Sequence, residues 1–151
     1  CQLRPASRGR ILLENADPLS DPKIEAGYLS APGDLEVMVQ GVKVARRIFG
    51  MKALSSIIGE EHSSSRGRET DESIAEFVRE YAETIYHPVG TCKLGIDEMS
   101  VVDDQLRVNG LKGLRVVDAS IMPTLVGGNT NAPVIMIAEK ASDMILEAVG
   151  Q

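Results

Sequence analysis

Histidine is the side chain whose ordinary pKa lies nearest neutrality, so a histidine held in a shaped turn is a natural proton carrier. His87 stands in such a turn, Tyr86-His87-Pro88-Val89-Gly90-Thr91-Cys92. Pro88 and Gly90 shape the backbone there and so fix the direction of the side chain. Catalysis is one reading. The other is a turn histidine bonded to a backbone carbonyl. Cys92 follows in the same segment, which allows a Cys–His nucleophile, but a small buried thiol is the simpler assignment. His62 lies in a polar stretch and reads as solvated.

A second constellation is Gly127-Gly128-Asn129-Thr130-Asn131-Ala132-Pro133. It opens a helix, whose first N–H groups lack intrahelical partners and carry partial positive charge. Such a terminus suits an anion or an electron-rich carbonyl. Ordinary capping by Asn129, Thr130 or Asn131 is the alternative. Asp118 closes the apolar piece Leu114-Arg115-Val116-Val117 and precedes Ala119-Ser120. It is placed either to meet a ligand at a strand end or to cap the next turn. The chain has no GxGxxG, Walker lysine loop, HExxH or GxSxG motif, so those chemistries have no local support.

The elements that must hold these residues follow from spacing. Gly9 and the residues after it read as a turn and short strand over 7–13, and a second extended piece is expected over 24–29. A helix is predicted from Asp34 as N-cap to Gly50, with Leu35, Met38, Val42, Ala45 and Phe49 as its buried stripe. Residues 59–70 are polar and read as a mobile surface loop. A helix beginning near Thr70 has Ile74, Phe77, Val78, Tyr81 and Ile85 on its core face and is expected to stop at Pro88. Leu106–Val108 and Leu114–Asp118 read as short strands joined through Asn109-Gly110 and Gly113. The last helix is predicted with Pro133 in its first position and Val134, Ile137, Ala138, Ala141, Ile145 and Val149 on one face.

The totals narrow the classes. There are 151 residues, enough for a domain of ordinary size, and 43% are apolar. No apolar run nears the roughly 20 residues that span a bilayer. A net charge of −6 and only 3% aromatic residues argue against a nucleic-acid partner. Two cysteines, Cys1 and Cys92, make neither a disulfide framework nor a CxxC zinc site, and no metal is expected. The first residue is Cys rather than Met, so a fragment of a longer protein is expected.

Taken in order, SRGRILLENADP, YHPVGTCKLG, VVDDQLRVNGLKGLRVVDASIMPTLVGGNTNAP and VIMIAEKASDMI resemble the C-terminal part of a glucose–methanol–choline (GMC) oxidoreductase. The bacterial choline-dehydrogenase-like and alcohol-dehydrogenase-like members are nearest in pattern. The resemblance covers nearly the whole chain and is most specific in its second half. It implies a flavoprotein that carries FAD and oxidises an alcohol to an aldehyde or ketone by hydride transfer to flavin N5. It implies His87 and Asn129 as the catalytic pair, and Asp118, Ala119, Thr130, Asn131 and Pro133 as flavin contacts. Asn109, Leu94 and Val134 depart from the commonest bacterial pattern, at positions outside the pair.

The expected fold is α/β in the mixed α+β sense. Residues 1–86 would form part of a substrate-binding domain, with an antiparallel sheet and helices. Residues 87–151 would form the returning segment of the FAD-binding domain. Unpaired sheet edges and exposed apolar helix faces are expected of such a piece. The partners implied are a small-molecule alcohol, a quinone or oxygen as electron acceptor, and the missing N-terminal half of the same protein, without which the chain is expected to be inactive. The implied location is cytoplasmic or peripheral to the inner membrane. Competing readings are a non-catalytic or truncated flavoprotein module, a GMC oxidase or lyase rather than a dehydrogenase, and a Cys–His hydrolase.

Overall fold

Gly9 and Gly27 allow two backbone segments to cross so closely that a side chain on either would collide with the other. That crossing lies in the first of two compact units that the chain forms in a computed structural model, which describes residues 1–150. The units are Cys1–Thr84 and the part from Ile85 onward.

In the first unit, β1 (Arg10–Leu12) pairs antiparallel with β2 (Lys23–Glu25), with Ile11 opposite Ile24. The expected strands are therefore present but only three residues long each. Ile11 and Ile24, paired across the sheet, are exposed, an apolar sheet surface of the kind that ordinarily has a partner. The long helix α1 spans Pro32–Phe49 and ends at Gly50. Its N-cap is Ala31, and Pro32 fills the first helical position, where a missing N–H is not needed.

Asp34, expected to be the cap, lies a turn further in and does different work. Its carboxylate accepts the N–H groups of Ala6 (2.9 Å) and Ser7 (2.8 Å) and the Gln2 amide (3.3 Å), while the Ser7 hydroxyl accepts the Ala31 N–H (2.9 Å). Asp34 is buried, so these bonds fasten the first residues of the chain onto the start of α1. The Ser7 hydroxyl, then the N–H groups of Ala6 and Ser7, hold its carboxyl at about 2, below the usual 3.8, with burial acting in the opposite sense. A depressed carboxylate contributes stability at pH values above its unfolded pKa and loses it as pH falls through the folded one. Asp34→Ala is therefore expected to lower the thermal midpoint by several degrees at pH 7. The deficit should shrink as pH falls from about 4 towards 2, because the wild type then loses the same bonds. Differential scanning calorimetry across that range checks it; a deficit constant down to pH 2 would assign the effect to something other than the carboxylate.

Helix α2 (Asp71–Tyr81) starts on a reciprocal capping box. The Thr70 hydroxyl accepts the Ser73 N–H (3.2 Å) and the Ser73 hydroxyl accepts the Thr70 N–H (3.1 Å), a device worth about 1 kcal/mol. Asp71 and Glu72 sit at its positive end. It packs on α1 around buried Val39, Ile74 and Val78, with Leu35, Met38, Val42 and Phe77 beside them. Each fully buried aliphatic side chain contributes roughly 1.5–3 kcal/mol. Two expectations change here. Val39 rather than Phe49 is at the centre of the α1 seam, and Phe49 is exposed. Helix α2 also ends at Tyr81, well before Pro88. Past Val78 its apolar residues Tyr81 and Ile85 are exposed, so no burial offsets the entropy of ordering further turns.

The polar stretch 59–70 is tied down rather than loose. Arg46 of α1 donates to the Glu61 carboxylate (2.7 and 2.9 Å), the Ser65 carbonyl (2.7 Å) and the Arg68 carbonyl (2.6 Å). Arg66 adds bonds to Glu60 and to the Glu61 carbonyl. His62 is exposed, as expected, and its Nδ1 lies 2.8 Å from the Ser64 hydroxyl.

The second unit holds the remaining core, Val102, Leu106, Ile121, Met122, Ile137 and Ala141. The two strands expected over Leu106–Val108 and Leu114–Asp118 are not regular strands. They are single bridges, Val102 with Val108 and Arg107 with Arg115. The backbone turns too often for a ladder, with positive φ at Leu106 (61°), Gly110 (78°) and Gly113 (74°). A three-residue 3-10 turn, Ala119–Ile121, follows Asp118. Helix α3 spans Asn131–Val149. Pro133 is its third residue rather than its first, which costs nothing because that N–H also lacks an intrahelical acceptor. The buried seam of α3 is Val134, Ile137, Ala141 and Met144. Ala138, Ile145 and Val149, expected on that face, are exposed, as are Ile135, Met136 and Leu146.

Candidate active site

His87 is half-buried and its backbone is constrained on both sides. Tyr86 before it has φ 63°, and Pro88 after it keeps His87 out of the helical region. Gly90 has φ 89°, and a Cβ there would lie 3.2 Å from the Met122 carbonyl oxygen. The next residues are stitched down. The Cys92 N–H donates to the Ser120 carbonyl (3.0 Å) and the Leu94 N–H to the Ile121 carbonyl (2.8 Å). The His87 segment thus runs beside the turn that follows Asp118.

Asp118 caps that turn, its Oδ1 accepting the Ser120 N–H at 2.7 Å. The capping role expected as an alternative for Asp118 is the one its Oδ1 performs. Ala119 packs against the core of the unit. Val89, next after Pro88, and Val126, just before the glycine pair, pack on that same core, as does Val134 of α3. Both arms of the candidate site are therefore anchored on one set of side chains.

Gly127 and Gly128 form a bend, with open space where a Gly128 side chain would stand. Asn129 is exposed beyond it. Thr130 is the N-cap of α3 by position, and its carbonyl accepts the Val134 N–H (3.0 Å), but no side chain caps the helix. Asn131 and Pro133 occupy the first turn. The capping expected from Asn129, Thr130 or Asn131 is thus not made. No side chain among the described residues accepts from the N–H groups at this helix start, which carry partial positive charge.

The His87 imidazole is hydrogen-bonded to none of the described residues, so it is not the carbonyl-bonded turn histidine offered as its plain reading. No hydrogen bond joins it to the Cys92 thiol or to Asn129 either. Both cysteines are free and Cys92 is half-buried, and a Cys–His hydrolase has no support in these contacts. Among the described residues there is no group of three or more His, Cys, Asp or Glu able to hold a metal, and no helix is long and apolar enough to cross a membrane. A groove of about 370 Å³ between α1 and α2 is lined by residues such as Glu36, Asp71 and Arg79 and by no candidate site residue. What the sequence did not reveal is the left-handed Tyr86, since tyrosine carries no preference for that conformation.

The fold is shared with a family of oxidoreductases: residues 5–138 match the GMC oxidoreductase family, and the chain belongs to it. It is 50% identical over 149 residues, 99% of its length, to an alcohol dehydrogenase [acceptor] of Pseudomonas putida, and it spans 27% of that protein. It is 48% identical over 143 residues to an oxygen-dependent choline dehydrogenase of Cronobacter sakazakii, covering 95% of this chain and 26% of the relative. Among solved structures it resembles an FAD-dependent oxidoreductase from Chaetomium thermophilum, with a TM-score of 0.88 and 28% identity over 97% of this chain and 26% of that one. The chain thus spans about a quarter of the length of the relatives it matches.

Proposed function

We infer that this chain forms part of an FAD-dependent enzyme that oxidises an alcohol to an aldehyde or ketone. His87 and Asn129 act on the reacting hydroxyl. Residues 1–86 contribute to the substrate-binding domain and residues 87–151 to the FAD-binding domain. The observation that carries this reading is the half-buried His87 imidazole, constrained by its neighbours on both sides and committed to no other described residue. The relatives named above lend the class of reaction.

The uncapped start of α3 suits the electron-rich edge of a flavin, with Thr130, Asn131 and Pro133 as the residues that would line it. Asp118 and Ala119 would add contacts from the neighbouring turn. FAD, when bound, supplies the hydride acceptor at N5. His87 takes the hydroxyl proton, or holds the developing alkoxide, at an imidazole nitrogen. The Asn129 amide donates a hydrogen bond to the same oxygen and keeps the carbon oriented.

The test uses the full-length enzyme with its flavin. Under anaerobic conditions, a panel of primary alcohols including choline is mixed with the enzyme and the flavin absorbance near its visible maximum is followed. Bleaching by at least one alcohol is expected. A flavin left oxidised by the whole panel would remove the alcohol-oxidising reading. Peroxide formation on readmitting air would mark an oxidase, and its absence a dehydrogenase.

A further inference from the structure

Among the described residues, three other than glycine have left-handed backbone, Leu29 (φ 55°), Tyr86 (φ 63°) and Leu106 (φ 61°). Such a conformation is sterically costly for a bulky L-residue, and glycine would adopt it freely. At Leu106 the reason for keeping a side chain is visible, because Leu106 is 5% exposed and sits in the core of its unit. Leu29 likewise packs against the core between α1 and α2. Tyr86 is different. It is 79% exposed in this chain and belongs to neither buried cluster, and it immediately precedes His87.

We propose that the left-handed backbone of Tyr86 is a positioning device for His87. This rests on the role given to His87 under the proposed function. On the C-terminal side the histidine is already fixed by Pro88, by Val89 in the core, and by the Cys92 and Leu94 N–H bonds to the 120–121 turn. On the N-terminal side no strand or helix leads in, since α2 has ended at Tyr81. Tyr86 is the last residue before the histidine, and its positive φ turns the backbone as it enters. For tyrosine the left-handed region is one narrow well, whereas glycine there would let φ swing over most of its range. Strain of this kind persists where surrounding structure over-determines it, and it clusters at functional sites. Tyr86 thus acts through His87, by narrowing the directions its imidazole can take, and needs no contact of its own with the substrate.

The experiment compares Tyr86→Gly and Tyr86→Asn in the full-length enzyme. Asparagine tolerates left-handed backbone yet is narrower than glycine there. Tyr86→Gly is expected to keep or raise the thermal midpoint of the flavin-free protein, while slowing flavin reduction by a saturating alcohol by up to roughly 10²-fold, the scale of a small misplacement at a reacting group. KM should change less than kcat. Tyr86→Asn is expected to recover most of the rate although the ring is gone, and its crystal structure should retain a positive φ at residue 86. Equal rates for Tyr86→Gly and wild type would overturn the proposal. So would equal losses in Tyr86→Gly and Tyr86→Asn, which would assign the effect to the aromatic ring. If wild-type flavin is reduced by no alcohol, or is reduced unchanged in His87→Ala, it is the role of His87 that fails. The flavin-free crystal structures still report whether residue 86 directs the ring.

Discussion

Replacing His87 with alanine in the full-length enzyme is expected to slow alcohol-driven flavin reduction by roughly 10²–10⁴-fold, the contribution of a positioned acid–base group, while FAD remains bound. The two halves of that expectation come from separate parts of the structure. The residues suited to hold the flavin are at the start of α3 and in the turn after Asp118, and neither changes when the imidazole is removed. Val89, Gly90 and the backbone bonds of Cys92 and Leu94 hold the His87 segment in place, so truncation of an unbonded side chain leaves the local fold intact. The cost should fall on kcat, because the imidazole acts on a proton that moves only during reaction. Stopped-flow reduction at saturating alcohol reads the rate, and the visible spectrum reads the bound flavin. Wild-type reduction rates in the variant would remove His87 from the chemistry. Loss of flavin with unchanged residual rate per bound flavin would make it a cofactor contact instead.

The parts of this fold that could be read from sequence are those governed by local rules. Ile74 and Val78 recur at helical spacing and are buried, and Thr70 is where the capping rules put it. Gly50 ends α1 as its position suggests. The motif order around His87, Asp118 and Asn129 carried the family resemblance, and at one of its residues the reason is visible in the backbone. Gly90 is needed where a side chain would crowd the Met122 carbonyl. Illegible parts depend on partners distant in sequence. Asp34 looked like a cap because a cap is a local feature, but its partners are Gln2, Ala6 and Ser7. Residues 59–70 looked loose because they are polar, yet Arg46, from a helix that ends ten residues earlier by position, fastens them. Leu106–Val108 has strand composition, but the left-handed Leu106 leaves room for only isolated bridges. In the candidate site, residue types were legible, and so was the capping open to Asp118, because its partner Ser120 is two residues away. The bare start of α3 and the unbonded His87 ring were not, since sequence supplies capable partners without saying which are used.

Gly27→Ala is expected to be the most destabilising single-methyl change in the first unit. A Cβ at Gly27 would lie 2.2 Å from the Arg8 carbonyl oxygen, and φ there is 65°. Both objections are to backbone, which cannot rotate away as a side chain can. Overpacking costs about 1–3 kcal/mol, and left-handed alanine adds about 1–2 kcal/mol. Together they set an expected loss of about 3 kcal/mol. Gly9 faces the same crossing from the other strand, where a Cβ would lie 2.4 Å from the carbonyl oxygens of Glu25 and Ala26. Gly9→Ala should therefore cost the overpacking part alone. Since one shift of the segments would relieve both clashes, the double variant should lose less than the sum of the singles. Urea unfolding of the full-length protein, followed by far-ultraviolet circular dichroism, gives the three midpoints. A Gly27→Ala protein within 0.5 kcal/mol of wild type, a magnitude ordinary for surface changes, would mean that residues 8–9 and 25–27 do not cross at this distance. The register of β1 against β2, which follows directly from that crossing, would then have to be redrawn.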